Sequence, residues 1–77
     1  MRTQHVEIHI KGKVQGVYFR ASTQLKARDL GLVGFVENQL DGSVFIQAEG
    51  ALKDLEELLL WCHRGPEHAR EDEVKHQ

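Results

Sequence analysis

The sequence predicts an α+β domain: a four-stranded antiparallel sheet with two helices on one face. Three observations predict it. Segments that alternate strictly between apolar and polar residues bracket two segments of helical period. The order along the chain is strand, helix, strand, strand, helix, weak strand. The two middle strands are joined by a turn short enough only for an antiparallel hairpin. Strands with one wet face, and helices between them, belong to a split βαβ arrangement in βαββαβ order.

Each element has a local cause. Residues 5–11 place Val6, Ile8 and Ile10 on one face and His5, Glu7, His9 and Lys11 on the other, the pattern of a half-buried strand. Residues 12–16 interrupt it with two glycines. From 18 to 30 the period changes: Phe19, Thr23, Ala27 and Leu30 share one helical face, and Gly31 stands where a helix C-cap glycine belongs. Residues 32–37 form the second strand and residues 38–42 a turn, with Asp41-Gly42 as its strongest signal. Residues 43–49 alternate again, with Val44, Ile46 and Ala48 inward. Residues 52–63 form an amphipathic helix with a stripe of Leu52, Leu55, Leu59 and Cys62, widened by Leu58 and Trp61; Gly65-Pro66 ends it. The tail is polar, and residues 69–74 are read as a short edge strand whose Glu71-Asp72-Glu73 run is solvated.

Composition bounds the function. The chain has 77 residues, 10 Lys and Arg against 12 Asp and Glu, and a net charge of −2. That makes a single domain, residues 1–77, which buries only ~60% of the surface its unfolded chain exposes. The slight negative charge argues against a strongly basic nucleic-acid binder. The longest apolar run, residues 58–62, is far too short to span a bilayer, and the N-terminus lacks the apolar stretch of a secretory signal. One cysteine, Cys62, permits no internal disulfide and suits a reducing, cytoplasmic compartment.

The segment richest in chemistry is Gly12-Lys13-Val14-Gln15-Gly16-Val17-Tyr18-Phe19-Arg20, between the first strand and the first helix. Its glycines let the backbone turn tightly and approach a ligand. Successive backbone N–H groups in such a loop converge into an anion-binding nest, and a helix N-terminus adds free N–H groups of its own. Arg20 supplies a two-pronged donor for anion oxygens. The alternative is a surface loop whose glycines serve only the turn. The spacing fits neither the Walker loop nor the dinucleotide fingerprint.

This segment resembles the first signature of the acylphosphatases, small enzymes that hydrolyse acyl phosphates. A second signature resembles theirs in the right order: Gly31-Leu32-Val33-Gly34-Phe35-Val36-Glu37-Asn38, then Asp41-Gly42-Ser43-Val44, with Phe35 where the family usually has tryptophan. Gly65-Pro66 and Ala69-Arg70 resemble the family's link into its fourth strand. The resemblance runs over nearly all of residues 5–75 and implies a ferredoxin-like fold. It implies that Arg20 binds phosphate, that Asn38 orients the attacking water, and that the backbone amides of Gln15, Gly16, Val17, Tyr18 and Phe19 complete the phosphate cradle. It implies a small acyl phosphate as substrate, inorganic phosphate or sulfate as a ligand of the loop, and no metal or cofactor. On the residues alone, Asn38 before Asp-Gly reads equally as a turn-tolerant residue, and Lys13 as an exposed strand-end lysine.

Other candidates carry less. His5 and His9 share a face but lie roughly 13 Å apart along a strand, too far to share a metal. Cys62, His63 and His68 match no known metal spacing. Cys62 sits on the apolar stripe of its helix, where a thiol behaves as a small hydrophobe. The runner-up function is a non-catalytic anion-binding or regulatory module on the same fold. An RNA-binding sheet is disfavoured, because Phe45 is the only aromatic of the third strand and the first has none.

The tail departs from the resembling pattern. Family members usually continue with a further strand beside the second one, whereas this chain ends at Gln77, and Glu71 stands where a β-branched apolar residue is usual. The expectation is a sheet lacking the family's final edge strand, with the second strand exposed along its outer edge. Reduced stability, or a homodimer or swapped assembly covering that edge, is the expected consequence.

Overall fold

The computed structural model describes residues 3–65 and 69–77. The elements are β1 (Gln4–Lys13), α1 (Phe19–Asp29), β2 (Val33–Asn38), β3 (Val44–Gly50), α2 (Leu52–Arg64) and β4 (Arg70–His76). They form one four-stranded sheet in the order β2-β3-β1-β4, antiparallel throughout. This is the expected βαββαβ topology, with β1 and β3 central.

The alternation in the sequence sets the register. Ile8 pairs with Ile46, Ile10 with Val44 and Val6 with Ala48, so the apolar residues of both central strands share one face. The helices cover that face: α1 packs on β2 and α2, and α2 packs on β1, β3 and β4. The core joins Ile8, Ile10, Val44, Ile46 and Ala48 of the sheet to Phe19 of α1 and Leu55, Leu58 and Cys62 of α2. Complete burial of residues such as Ile8, Ile46 and Leu58 stabilises the fold by about 2 kcal/mol each. Thr23 is buried on the inner face of α1, and its hydroxyl donates to the Phe19 carbonyl at 2.8 Å. Helix α1 ends as expected around Gly31: Gly31 N–H donates to Arg28 O and Leu32 N–H to Ala27 O, the paired bonds of a Schellman motif.

Four local readings are corrected. Asn38 is the last residue of β2, opposite Val44, not part of the turn. Leu52 lies at the first position of α2, beside the end of the ladder at Gln4–Gly50, and is 51% exposed. β4 runs to His76 despite its acidic sequence, because pairing with β1 from Ile8 to Lys13 satisfies its backbone. Glu71 is not fully solvated: its Oε2 is buried without a hydrogen-bond partner among the described residues. A side chain on Gly65 would collide with that oxygen, and the Phe19 ring lies alongside.

β2 forms one edge of the described sheet and pairs with β3 alone. Its Val33 is 63% exposed and its Phe35 45% exposed. Gly34 allows the close approach of β2 to β3, since a β-carbon there would strike the Gln47 carbonyl.

Candidate active site

The loop between β1 and α1 is held from within. Val14 and Phe19 are fully buried at its two ends and Val17 packs against the core, while Gly16, Tyr18 and Arg20 face outward. Gly16 has φ +76° and Tyr18 φ +62°, with Val17 between them at negative φ. Alternating hands of this kind turn successive N–H groups toward one concave side, which makes an anion nest. A left-handed Tyr costs about 1–2 kcal/mol relative to the right-handed form. Strain of this kind is characteristic of functional loops. The 82% exposure of the Tyr18 side chain shows that packing does not require it.

Tyr18 is also the N-cap of α1, and no side chain caps the helix there. No acidic residue lies in the first turn. The first amides of the helix are thus left for an outside acceptor, at the positive end of the helix dipole. Arg20 stands in that turn, exposed, and makes no ion pair among the described residues. Its guanidinium is available to a ligand.

These groups surround a cleft of about 180 Å³ lined by Val14, Gln15, Gly16, Tyr18, Phe19, Arg20, Ala21 and Asn38. The structure therefore brings together the loop, Arg20 and Asn38, which lie on separate parts of the sequence. Asn38 reaches the cleft because it ends β2 on the side where β1 runs into the loop. Lys13 is exposed at the end of β1 and does not line the cleft. A cleft of this size, with a bidentate cation, unsatisfied amides and one neutral amide side chain, fits a phosphoryl group.

Sequence reasoning missed two features. The Gln15 side chain reaches across to the β2–β3 turn, where its Nε2 donates to Gln39 O at 2.8 Å and Ser43 O at 2.9 Å. The turn itself is braced. Ser43 N–H donates to Asp41 Oδ1 at 3.0 Å, and so does the Ser43 hydroxyl, while His9 Nε2 lies 2.8 Å from Ser43 Oγ. With the hydroxyl hydrogen committed to Asp41, His9 Nε2–H is the donor to Ser43 Oγ. The Ser43 hydroxyl, then its amide, holds the Asp41 carboxyl below its ordinary pKa. Asp41-Gly42-Ser43 is a readable Asx-turn pattern; the Gln15 contacts are to backbone carbonyls and leave no trace in residue identity.

The other candidates are elsewhere. Cys62 is fully buried, and burial followed by the nearby Glu71 charge raises its thiol pKa to about 12. His5 and His9 lie on the open face of the sheet. His68 lies outside the described residues, and among those described no group of three or more His, Cys, Asp or Glu could hold a metal ion. No described helix is long and apolar enough to cross a membrane.

Fold and cleft define a ferredoxin-like α+β domain with a candidate anion site at the junction of β1, α1 and β2. Comparison with known proteins makes the family specific. The acylphosphatase family model matches residues 6–77. An acylphosphatase of Marinobacter nauticus is 59% identical over 68 residues, covering 88% of this chain and 74% of that one. The structure of an acylphosphatase from Coxiella burnetii superposes with a TM-score of 0.94 at 35% identity, over 97% of this chain and 79% of that one. The crystal structure of acylphosphatase from Bacillus subtilis matches with a TM-score of 0.94 at 30% identity, over 99% of this chain and 83% of that one. The chain belongs to the acylphosphatase family.

Proposed function

We propose that the cleft binds the phosphoryl group of an acyl phosphate and hydrolyses it to a carboxylate and inorganic phosphate. Family membership carries the activity. The observation that supports the residue roles is the cleft that places Arg20, the uncapped start of α1 and Asn38 around one small volume. Arg20 and the amides of Gln15 to Phe19 hold the phosphoryl oxygens. Asn38 accepts a hydrogen bond from the attacking water with its carbonyl and donates with its NH₂.

The chemistry asks for little more. A departing carboxylate is a good leaving group, so protonation of the bridging oxygen is not required. What lowers the barrier is charge neutralisation on the phosphoryl oxygens and a water held in line. Water oxygen bonds to phosphorus, the bond from phosphorus to the acyl oxygen breaks, and the carboxylate leaves with the electron pair. The water proton passes to a phosphoryl oxygen of the substrate. In this reading the enzyme works without metal or cofactor. Benzoyl phosphate hydrolysis tests it: activity competitively inhibited by inorganic phosphate and unchanged by EDTA supports the reading. Phosphate binding without hydrolysis would support the regulatory-module alternative instead.

The same reading takes residues 1–77 as one catalytic domain and, from its single buried thiol, places it in the reducing cytoplasm. It also gives the edge of β2 an occupant. Gln39 N–H donates to Ser43 O, so the odd residues of β2 bond to β3 and the backbone groups of Gly34, Val36 and Asn38 point outward. A second copy of β2, antiparallel to the first, satisfies those groups and covers Val33 and Phe35. Light scattering that gives a monomer across the micromolar range would rule this homodimer out; a swapped assembly would show instead as a slowly exchanging dimer.

A further inference from the structure

We propose that the Gln15 side chain is a positioning residue, which holds the phosphate loop in register with the strand end that carries Asn38. The inference rests on the roles given above to Arg20 and Asn38. The β1–β3 ladder ends at Ile10–Val44. Beyond it, the loop and the β2–β3 turn have no backbone pairing to fix their separation, yet the cleft lies between the loop and Asn38, the residue that leads into the turn. Gln15 spans this gap. Its Nε2 donates one hydrogen to Gln39 O at 2.8 Å and the other to Ser43 O at 2.9 Å, across 24 and 28 residues of sequence.

Both ends of the bridge are stiff. Gln39 directly follows Asn38, and its N–H donates to Ser43 O at 2.8 Å, so both acceptor carbonyls belong to the pair that closes the hairpin. Ser43 is 2% exposed and braced by Asp41 and His9. On the other side, Gln15 lies between buried Val14 and the left-handed Gly16 that opens the nest. Two acceptor carbonyls admit only the NH₂ end of the side chain, so the orientation of the amide is determined. Gln15 contributes its backbone amide to the phosphate cradle and its side chain to the distance between that cradle and Asn38.

Gln15→Met keeps the length and charge and removes both donors. A displacement of about 1 Å of a water-positioning group costs on the order of 10²-fold in rate. We therefore expect kcat on benzoyl phosphate to fall by roughly 10- to 100-fold, while the inhibition constant for inorganic phosphate stays within about threefold. Because Gln15 acts through Asn38, Gln15→Met should cost no further kcat in an Asn38→Ala background. Gln15→Ala should behave alike, and melting curves show that each variant is folded at the assay temperature. Parent-like kcat in folded Gln15→Met would overturn the proposal. So would a loss of phosphate affinity in step with kcat, or a full multiplicative loss on top of Asn38→Ala. A fully active Asn38→Ala protein would instead overturn the role of Asn38 itself, whatever Gln15 does.

Discussion

Arg20 offers the most informative perturbation of the site. It is exposed, makes no ion pair among the described residues and lies outside the core, so Arg20→Ala removes a ligand contact without opening a cavity. In the proposed role its guanidinium, in the first turn of α1, donates two charge-assisted hydrogen bonds to phosphoryl oxygens. Hydrogen bonds to charged groups contribute about 1.5–3 kcal/mol each. The cleft is open to water, which argues for the lower value, so the pair contributes about 3 kcal/mol to the bound transition state. That corresponds to a loss of on the order of 10²-fold in kcat/KM. Arg20→Lys restores the charge but not the planar fork, and should recover only part of the rate. The assay is benzoyl phosphate hydrolysis with phosphate as inhibitor, alongside thermal melting. Arg20→Ala should keep the parent Tm and lose phosphate inhibition as well as rate. A kcat/KM within a factor of two of the parent, with unaltered phosphate inhibition, would refute the assignment.

Three further outcomes follow from the fold. Glu71 buries one carboxylate oxygen beside Phe19 and Gly65, and desolvation raises its pKa above 4.5, partly offset by His63. The folded state therefore binds that proton more tightly than the unfolded chain. Stability falls as pH rises from below the unfolded pKa through the raised one, and the cost is complete at neutral pH. Glu71→Val should then stabilise at pH 7 by about 1 kcal/mol, the low end for an unsatisfied group because the residue is only partly buried. The matching Tm rise of roughly 4–8 °C should shrink below pH 4, and a lower Tm at pH 7 would count against the argument. Cys62, fully buried with a thiol pKa of about 12, should react with a disulfide reagent only at the rate of unfolding; immediate labelling of native protein would contradict its placement. Gly34→Ala should destabilise by about 2–3 kcal/mol, since the added carbon strikes the Gln47 carbonyl, and a Tm equal to the parent's would show that β2 and β3 are not so close.

The sheet was legible because period-two alternation in β1 and β3 survives in the register: the residues read as inward at Ile8, Ile10, Val44, Ile46 and Ala48 are the core. β4 was harder to read. Its strand state comes from pairing with β1, not from its own residues, and a run of Glu71, Asp72 and Glu73 carries no apolar period. The loop between β1 and α1 stood out through two glycines and an arginine at a strand-to-helix junction, but those residues fit a plain surface turn as well as an anion site, and the resemblance favoured the second. Asn38 was ambiguous on its own because the same residue type serves turns. It became a candidate through resemblance, and the structure adds that it lines the cleft with Arg20. The Gln15 bridge was not legible at all. Its acceptors are main-chain carbonyls distant in sequence, and only the folded chain brings them within reach.

In the proposed reaction water, held in this cleft, attacks phosphorus. Hydrolysis of an acyl phosphate in ¹⁸O-labelled water, followed by mass spectrometry of both products, tests it most directly. One labelled oxygen is expected in the inorganic phosphate and none in the carboxylate, with turnover on the order of 10²-fold slower in Arg20→Ala and measurably reduced in Asn38→Ala. Label in the carboxylate would mean attack at the acyl carbon and would overturn the proposed attack at phosphorus.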